Sequence, residues 1–392
     1  MKRNIIVVMA IVLVLSFAVS ACQPAATPTQ APANSTAPTA ASAAAAPSSY
    51  KIGFSGPLTG DGAYYGQAEK EGIGLALDEI NKAGGVKGVP LSVVYEDDRN
   101  NTADAQTVLL KLAESDKVPL IIGINTSSVT MATCKKAQEL GIVQYSIGSN
   151  PKIGSSCTDN TFLLQGNDSQ QGLEFAKIGQ FEKMTTAAVV YMNNDYGIGN
   201  KTAFDSNAAA AGIKVLGEVS LAPGGNDYRT EVLQVKSMNP QMVAFIAYGA
   251  EGSLFLRQAK EQGLKTQFIA DTNWGDSSMW QQGGDALVGL IGLQAGAHTS
   301  PAYQKYEAAF KAKYNKAPSI WSEYFYDEIY MAAKAIEMGG YTGTGIKDAT
   351  KQIAQTFVGA SGPKQLDAQN YVRWSFDWVQ WQADGTLKPM QH

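Results

Sequence analysis

Hydrogen-bonding side chains and glycines are concentrated in four short stretches of the sequence. Each stretch lies at the end of an apolar run, and the four are GPLTGDGAYYG (56–66), GINTSSVT (123–130), YSIGSNP (145–151) and NNDYGIG (193–199). Ser, Thr, Asn and Tyr side chains make hydrogen bonds, and glycines let backbone N–H groups approach a ligand. These residue types favour non-covalent binding of a small polar solute.

The stretch GINTSSVT predicts a site for an anionic group. A helix that begins near Val129 would point its free N–H groups and partial positive charge at a ligand over Ser127, which suits a carboxylate. The alternative is that Ser127 or Ser128 only caps this helix. The two roles are compatible, because the stretch offers four hydroxyl groups.

The sequence does not favour an enzyme. A serine nucleophile needs a base, usually histidine, and the only histidines are His298 and the last residue, His392. No GxSxG motif surrounds Ser127, no Walker loop follows a strand, and no His/Cys/Asp spacing resembles a metal site. The segment GIGN after Tyr196 is too short for a dinucleotide fingerprint. We therefore expect a binding protein without cofactor or metal.

Composition limits the class of protein further. The chain has 392 residues, of which 45% are hydrophobic and 17% charged, and this is enough for two hydrophobic cores. A formal net charge of −4, with no Lys/Arg run beyond the first three residues, excludes a nucleic-acid footprint.

From Tyr50 onward, short β-branched runs alternate with helical patterns that end on glycine, which is typical of parallel strands with crossover helices. Five strands are predicted first (50–56, 91–97, 119–124, 142–147 and 162–166), and five more follow (186–192, 213–221, 241–249, 266–271 and 287–296). We expect an α/β fold with two consecutive doubly wound parallel sheets. Ligands of such sheets bind beyond the carboxyl ends of the strands, where the polar stretches lie. Two late helices, in 301–317 and 319–340, are expected to return and cover the first lobe.

The N-terminus resembles a bacterial lipoprotein export signal. Lys2 and Arg3 precede an apolar run from Ile5 to Val19, and VSAC (19–22) looks like a lipobox with Cys22 as the lipidated residue. An uncleaved membrane anchor is the alternative for residues 1–22. Residues 23–49, made mostly of Ala, Pro, Thr and Ser, are expected to be a flexible linker.

Export would place the protein in an oxidising compartment. Acylation of Cys22 leaves Cys134 and Cys157 as an even pair, so we expect a disulfide between them. Two buried free thiols are the alternative.

Five segments match a known family in order and spacing: IGFSGPLTGDGAYYGQAEKEGIGLALDEINKAGGVKG (52–88), DDRNNTADAQTVLLKL (97–112), GLEFAKI (172–178), NDYGIGN (194–200) and FLRQAKEQGLKTQFI (255–269). From Tyr50 to the C-terminus, the sequence resembles the leucine/isoleucine/valine-binding protein family, type I periplasmic solute-binding proteins of ABC importers. The resemblance implies two lobes joined by a three-stranded hinge and closing on a small molecule. Lobe 1 would comprise 50–167 and 298–357, and lobe 2 would comprise 168–297 and 358–392.

The resemblance also implies ligand contacts in the first lobe. Ser127, next to Ser128, falls where the family binds a ligand carboxylate, and Gly148 falls where a backbone carbonyl accepts from the ligand ammonium. Asn150 stands where the family usually has threonine. Tyr65 matches an aromatic residue that packs on the ligand.

From the second lobe, Tyr196 and Tyr248 match aromatic residues that close over the ligand. The alternative for these two residues and for Tyr65 is an ordinary surface or core tyrosine. Family members place a carboxylate after FI to pair with the ligand ammonium. Here Asp271 is the expected partner, but the spacing after FI also allows Thr272, the next residue, to occupy that position. If Thr272 faces the ligand, preference would shift toward a neutral amide or a plain carboxylic acid. Trp274 is expected to stack on the ligand, with wedging between the lobes as the alternative.

The implied function is a monomeric, lipid-anchored receptor on the outer face of the membrane or in the periplasm. It would capture a branched-chain amino acid or a related carboxylate or amide, and deliver it to ABC permease subunits. A sensor that presents the solute to a membrane receptor is the alternative, and the sequence does not separate the two.

Overall fold

The computed structural model describes residues 48–157, 159–295, 298–373 and 375–390. The expected signal peptide, Cys22 and nearly all of the expected linker lie outside these residues. Within the described ranges, no helix combines the length and the apolar character that crossing a membrane requires.

The first sheet contains five parallel strands in the order β2-β1-β3-β4-β5. The strands are β1 (Tyr50–Gly56), β2 (Leu91–Asp97), β3 (Leu120–Ile124), β4 (Val143–Ser146) and β5 (Thr161–Leu163). Between them lie α1 (Ala63–Lys82), α2 (Thr102–Leu110), α3 (Ser127–Glu139) and α4 (Pro151–Ser156). Buried aliphatic residues on both faces of β3 explain its near-continuous apolar sequence, whereas Ile52 and Phe54 of β1 share one face.

The alternation of strands and helices then begins again. Its elements are α5 (Asp168–Phe181), β6 (Thr186–Met192), α6 (Asp195–Ala208), β7 (Lys214–Leu221), α7 (Arg229–Met238), β8 (Met242–Ile246), α8 (Gly249–Glu261), β9 (Gln267–Ala270), α9 (Trp280–Gly283) and β10 (Ile291–Ala295). A 3-10 turn, Thr272–Gly275, follows β9 directly.

The chain next returns to the first sheet as three helices, α10 (Pro301–Tyr314), α11 (Ile320–Gly339) and α12 (Gly343–Ile353). Helix α11 packs closely on α1, since a Cβ at Gly72 would collide with the backbone carbonyl of Ser322. Phe325 of α11 also contacts Phe54 of β1, with ring centroids 6.2 Å apart. The expectation that two late helices cover the first lobe is confirmed.

The last strands are β11 (Val358–Gly359), β12 (Gly362–Pro363), β13 (Phe376–Trp381) and β14 (Leu387–Pro389). The first two form a hairpin, whereas β13 and β14 complete the second sheet, whose order is β14-β13-β10-β9-β8-β6-β7. Strand β13 is antiparallel to β10 and to β14, so the second sheet is mixed rather than wholly parallel as we expected. The prediction of an α/β fold with two doubly wound lobes is otherwise confirmed.

The chain passes between the two lobes in three segments, which follow β5, β10 and β12. The lobe boundaries given above remain a proposal, and the contacts of residues 358–372 favour one adjustment. Ala360 and Ser361 donate backbone hydrogen bonds to Asp327 of α11, at 2.7 and 2.9 Å, and Val372 donates to the carbonyl of Leu163 at 3.0 Å. A boundary near residue 373 fits these contacts better than one at 358.

Cys134 of α3 and Cys157, the residue after α4, are joined by a disulfide, with Cα atoms 5.6 Å apart. The bond fastens the two helices whose N-termini follow β3 and β4.

Candidate functional site

One cavity collects residues from the carboxyl ends of strands in both sheets. About 400 Å³ of space, part of it open to solvent, lies between the protein atoms there. Its described lining residues come from the first lobe (Tyr65, Asn125, Thr126, Ser127, Ile147, Ser149 and Trp321), from the segment after β5 (Gln165) and from the second lobe (Gln171, Tyr196, Tyr248, Thr272 and Asn273). Ser127, Tyr196 and Tyr248 therefore share one cavity.

Ser127 links the turns that follow β3 and β4. Its hydroxyl oxygen accepts hydrogen bonds from the backbone N–H groups of Ser149 and Asn150, at 3.2 and 3.1 Å. The cap of α3 is Thr126, whose hydroxyl accepts from the Val129 N–H at 3.3 Å, so neither Ser127 nor Ser128 caps this helix. Ser127 lies in the first turn of α3, where backbone N–H groups lack partners within the helix.

Gly148 and Asn150 do not line the cavity; their neighbours Ile147 and Ser149 do. Side chains of an extended segment alternate between its two sides, which explains why neighbouring residues differ in this respect. The contact expected from the Gly148 backbone carbonyl stays a prediction. A Cβ at Gly148 would lie 2.5 Å from the Thr130 hydroxyl oxygen, which explains the glycine by packing.

Asn150 caps α4 and also reaches the other lobe. Its Oδ1 accepts from the Lys152 N–H at 2.9 Å, and its Nδ2 donates to the Asp195 carbonyl at 2.5 Å. Its side chain therefore has two protein partners.

Three tyrosines form much of the cavity wall. The rings of Tyr196 and Tyr248 are stacked, with centroids 5.3 Å apart and planes 13° apart. The Tyr65 ring is almost perpendicular to that of Trp321 at 5.0 Å, and its hydroxyl accepts from the Gly249 N–H at 2.7 Å. Burial raises the pKa of Tyr65, Tyr196 and Tyr248, so all three phenols remain protonated at neutral pH.

Thr272, and not Asp271, lines the cavity. Asp271 is completely buried behind it, where its two carboxylate oxygens accept from the N–H groups of Asn273 at 2.9 Å and Ala247 at 3.1 Å. Burial raises the pKa of Asp271 to about 7, although these hydrogen bonds and one with Tyr196 oppose the shift. Asp271 caps the turn after β9. This position does not fit the expected pairing of Asp271 with a ligand ammonium.

Trp274 is a core residue. It is completely buried, packs 5.5 Å from the Phe245 ring centroid and donates from Nε1 to the Ala247 carbonyl at 3.0 Å. It is absent from the cavity lining, so the expectation that it stacks on the ligand is corrected: its ring fills the space under α8, where a Cβ at Gly252 would collide with it.

Ser128 points to the opposite lobe rather than into the cavity. Its hydroxyl donates to the Asp195 carboxylate at 2.7 Å. It lines an outer recess of about 1010 Å³ whose wall also includes Asp61, Arg99 and Glu251. Tyr65, Thr126 and Tyr248 border both spaces.

Several lining residues were not predicted as site residues. Asn125, Thr126 and Ser149 lie in the polar stretches, so their composition was a usable signal. Gln165 is the last residue but one of a predicted strand and could have been included by position. Trp321 arrives on α11, far along the chain, and Gln171 lies inside α5; no local pattern marks either.

Comparison with known proteins agrees with this geometry. A sequence model of the family described as "Periplasmic binding protein" matches residues 49–385. The "Leucine-, isoleucine-, valine-, threonine-, and alanine-binding protein" of Pseudomonas aeruginosa is 31% identical over 346 residues, covering 87% of this chain and 92% of that protein. The Leu/Ile/Val-binding protein of Citrobacter freundii is 28% identical and covers 86% and 92%.

Solved structures share the fold. The substrate-binding protein of a branched-chain amino acid transporter from Streptococcus pneumoniae, in complex with isoleucine, gives a TM-score of 0.80 at 24% identity, over 87% of this chain and 98% of that one. A solute-binding protein of an ABC transporter from R. palustris, in complex with benzoate, gives a TM-score of 0.80 at 20% identity, over 87% and 95%.

The expected family is thus confirmed, as is the expectation that the chain is no enzyme. The chain belongs to the periplasmic binding proteins, in the branched-chain amino acid-binding family of extracytoplasmic solute-binding proteins that serve transporters.

Proposed function

We propose that the chain is the solute-binding lipoprotein of an ABC importer, and that it captures a branched-chain amino acid or a related small carboxylate or amide between two closing lobes. The observation that carries this proposal is the shared cavity, whose walls come from both sheets. Such a site needs only binding and release, without covalent chemistry.

The first turn of α3 would hold the carboxylate of the solute. Free N–H groups and the positive end of a helix dipole favour an anion there, and Ser127 adds a hydroxyl group. The stacked Tyr196 and Tyr248 rings, with Tyr65 and Trp321, would bury the apolar part of the solute. The names of the relatives support this class, since they specify leucine, isoleucine, valine, threonine and alanine.

The remaining steps of the proposal concern the cell. Cys22 would carry the lipid anchor, the protein would act as a monomer, and membrane permease subunits would receive the solute. Incorporation of a labelled fatty acid tests the anchor. It should label the wild-type chain and not the Cys22→Ala variant, and equal labelling of the two would contradict lipidation at Cys22.

A thermal-shift screen followed by calorimetry tests the function. The purified protein should be stabilised by at least one small carboxylate or amide among amino acids, their amides and aromatic acids, and should bind it with a stoichiometry of one. Micromolar affinity corresponds to about −8 kcal/mol. Absence of any stabilising solute in a folded sample would contradict the proposal, and so would chemical conversion of the solute.

A further inference from the structure

The cavity wall combines aromatic and polar side chains, without a charged one among the described residues. None of the described lining residues has an Asp, Glu, Lys, Arg or His side chain. The polar groups are hydroxyls and amides, including the neutral side chains of Gln165 and Gln171.

The buried carboxylates behind the wall do not replace a lining charge. Both oxygens of Asp271 accept from backbone N–H groups, as described above. Asp168 accepts from Asn200 Nδ2 at 2.7 Å through one oxygen, and its other oxygen, which has no hydrogen-bond partner within the described residues, faces Gly199 of α6. Glu69 is also completely buried and accepts from the side chain of the lining residue Asn125. None of these three carboxylates lines the cavity.

Three lining side chains have polar atoms without a hydrogen-bond partner within the described part of the chain: Trp321 Nε1, a donor, Asn273 Oδ1, an acceptor, and the Ser149 hydroxyl, which can be either. Only 8% of Trp321, 2% of Asn273 and 1% of Ser149 is exposed. Buried polar atoms are nearly always paired, so these three atoms indicate complementary atoms on a bound solute.

The orientation of Asn273 is fixed by its surroundings. Its Nδ2 lies 3.3 Å from the Tyr196 hydroxyl and 3.5 Å from the Ala247 carbonyl, which can only accept. Oδ1 therefore requires a donor from the solute, while Trp321 and the first turn of α3 offer donors to its carboxylate oxygens.

The solute group that donates to Asn273 Oδ1 would be buried against a wall without charged side chains. An ammonium group would be buried without a carboxylate contact, and an unpaired buried charge is far more costly than a hydrogen-bonded hydroxyl or amide. Resting on the proposed function, we propose that the site prefers small carboxylates whose second polar group is an uncharged hydrogen-bond donor, such as 2-hydroxy acids, over the corresponding α-amino acids.

Calorimetry with a matched series tests the preference. The series is leucine, 2-hydroxy-4-methylpentanoate and 4-methylpentanoate, which differ only in the group on the second carbon. The hydroxy acid should bind at least about tenfold more tightly than leucine, and several-fold more tightly than the acid without a hydroxyl. Equal or tighter binding of leucine would overturn this preference and leave the proposed function standing. Failure of all three, together with a negative solute screen, would overturn both.

Two variants of Thr272 separate charge from shape. Thr272→Glu places a carboxylate in the wall, and Thr272→Gln is its neutral control. The glutamate variant should shift the leucine-to-hydroxy-acid affinity ratio toward leucine by at least about tenfold, whereas the glutamine variant should keep the wild-type preference. An unchanged ratio in a folded Thr272→Glu protein would contradict the inference. Asn273→Asp provides the same comparison if the first variant does not fold, because it puts a charge at the unpartnered acceptor.

Discussion

Ser127 combines two tasks in one side chain. It accepts two backbone hydrogen bonds that hold the turn after β4, and it lines the cavity at the start of α3. A ligand carboxylate and the turn that supports the site therefore depend on the same hydroxyl.

Replacing Ser127 by alanine removes both interactions. Affinity for carboxylates should fall at least about fivefold, and the free energy of unfolding should fall by about 1–3 kcal/mol because two buried N–H groups lose their acceptor. Calorimetry and urea denaturation measure these effects. Ser155→Ala is the control, since that exposed hydroxyl bonds only the Lys152 carbonyl of its own helix. Unchanged affinity in the folded Ser127→Ala protein would contradict the carboxylate site.

Asp271 offers a second test at the same scale. Because it holds the turn after β9 and does not line the cavity, Asp271→Asn should change the affinities for leucine and 4-methylpentanoate by the same factor, within about twofold. Calorimetry on both ligands measures the ratio. A selective loss of leucine binding would instead restore Asp271 as the ammonium partner.

Sequence reasoning located part of the site. The positions Ser127, Tyr65, Tyr196 and Tyr248 line the cavity as the family resemblance implies. Gly148, Asn150 and Asp271 each stand next to a lining residue, and a shift of one position turns a side chain in a different direction. Spacing alone does not fix that register.

The N-termini of α3 and α6 meet across the cleft. Ser128 in α3 donates to the Asp195 carboxylate, and Asn150 donates to the Asp195 carbonyl, so one residue of the second lobe receives two bonds from the first. These bonds lie beside the lining residues Ser127 and Tyr196. We expect them to stabilise the closed arrangement without contacting the solute.

Ser128→Ala should therefore accelerate dissociation of every ligand about three- to tenfold and leave association rates unchanged. Stopped-flow fluorescence measures both rates. Thr202→Ala in α6 is the control, because its hydroxyl bonds only the Ile198 carbonyl of the same helix. In a double-mutant cycle, Asp195→Ala should add little to Ser128→Ala. Additive effects, or effects confined to one ligand, would contradict the role of this contact.

The strand and helix alternation was predictable because parallel strands buried on both faces leave long apolar runs. The late helices were also predictable from their length. The antiparallel pairing of β13 and β14 was not, because β14 has only three residues and the sequence of β13 does not set the direction in which it pairs. Trp321 reaches the cavity only through the packing of α11 on α1, which no local sequence feature encodes.

At the scale of the whole molecule, a buried polar cluster joins the first lobe to the third connecting segment. Lys364 donates to the carbonyl of Leu164 at 3.2 Å and to the Ser361 hydroxyl at 2.6 Å, and it lies 3.6 Å from Asp327. The adjacent Glu328 is also completely buried. Two of the connections between the lobes, near residues 164 and 364, thus share one lysine.

Glu328 makes the stability of this region dependent on pH. Burial raises its pKa from 4.5 to about 8, with Asp327 adding to the shift and Lys364 opposing it. A raised pKa in the folded state means that its contribution is complete below pH 4.5 and is lost as the pH rises through about 8. The wild type should therefore lose free energy of unfolding between pH 5 and pH 8 through Glu328, and Glu328→Gln should not. The stability of the variant relative to wild type should increase over this range.

Urea denaturation at the two pH values measures this difference, and Glu337→Gln, an exposed position on the same helix, is the control. A difference between wild type and Glu328→Gln that does not change with pH would show that Glu328 is not the titrating group.

The most direct test of capture between two lobes is a crystal structure with the tightest ligand of the calorimetric series. The account predicts an intact solute whose carboxylate lies at Ser127 and the first turn of α3, and whose body contacts Tyr196 and Tyr248 of the second lobe. A solute held by one lobe alone, or bound only in the outer recess beside Arg99 and Glu251, would contradict it.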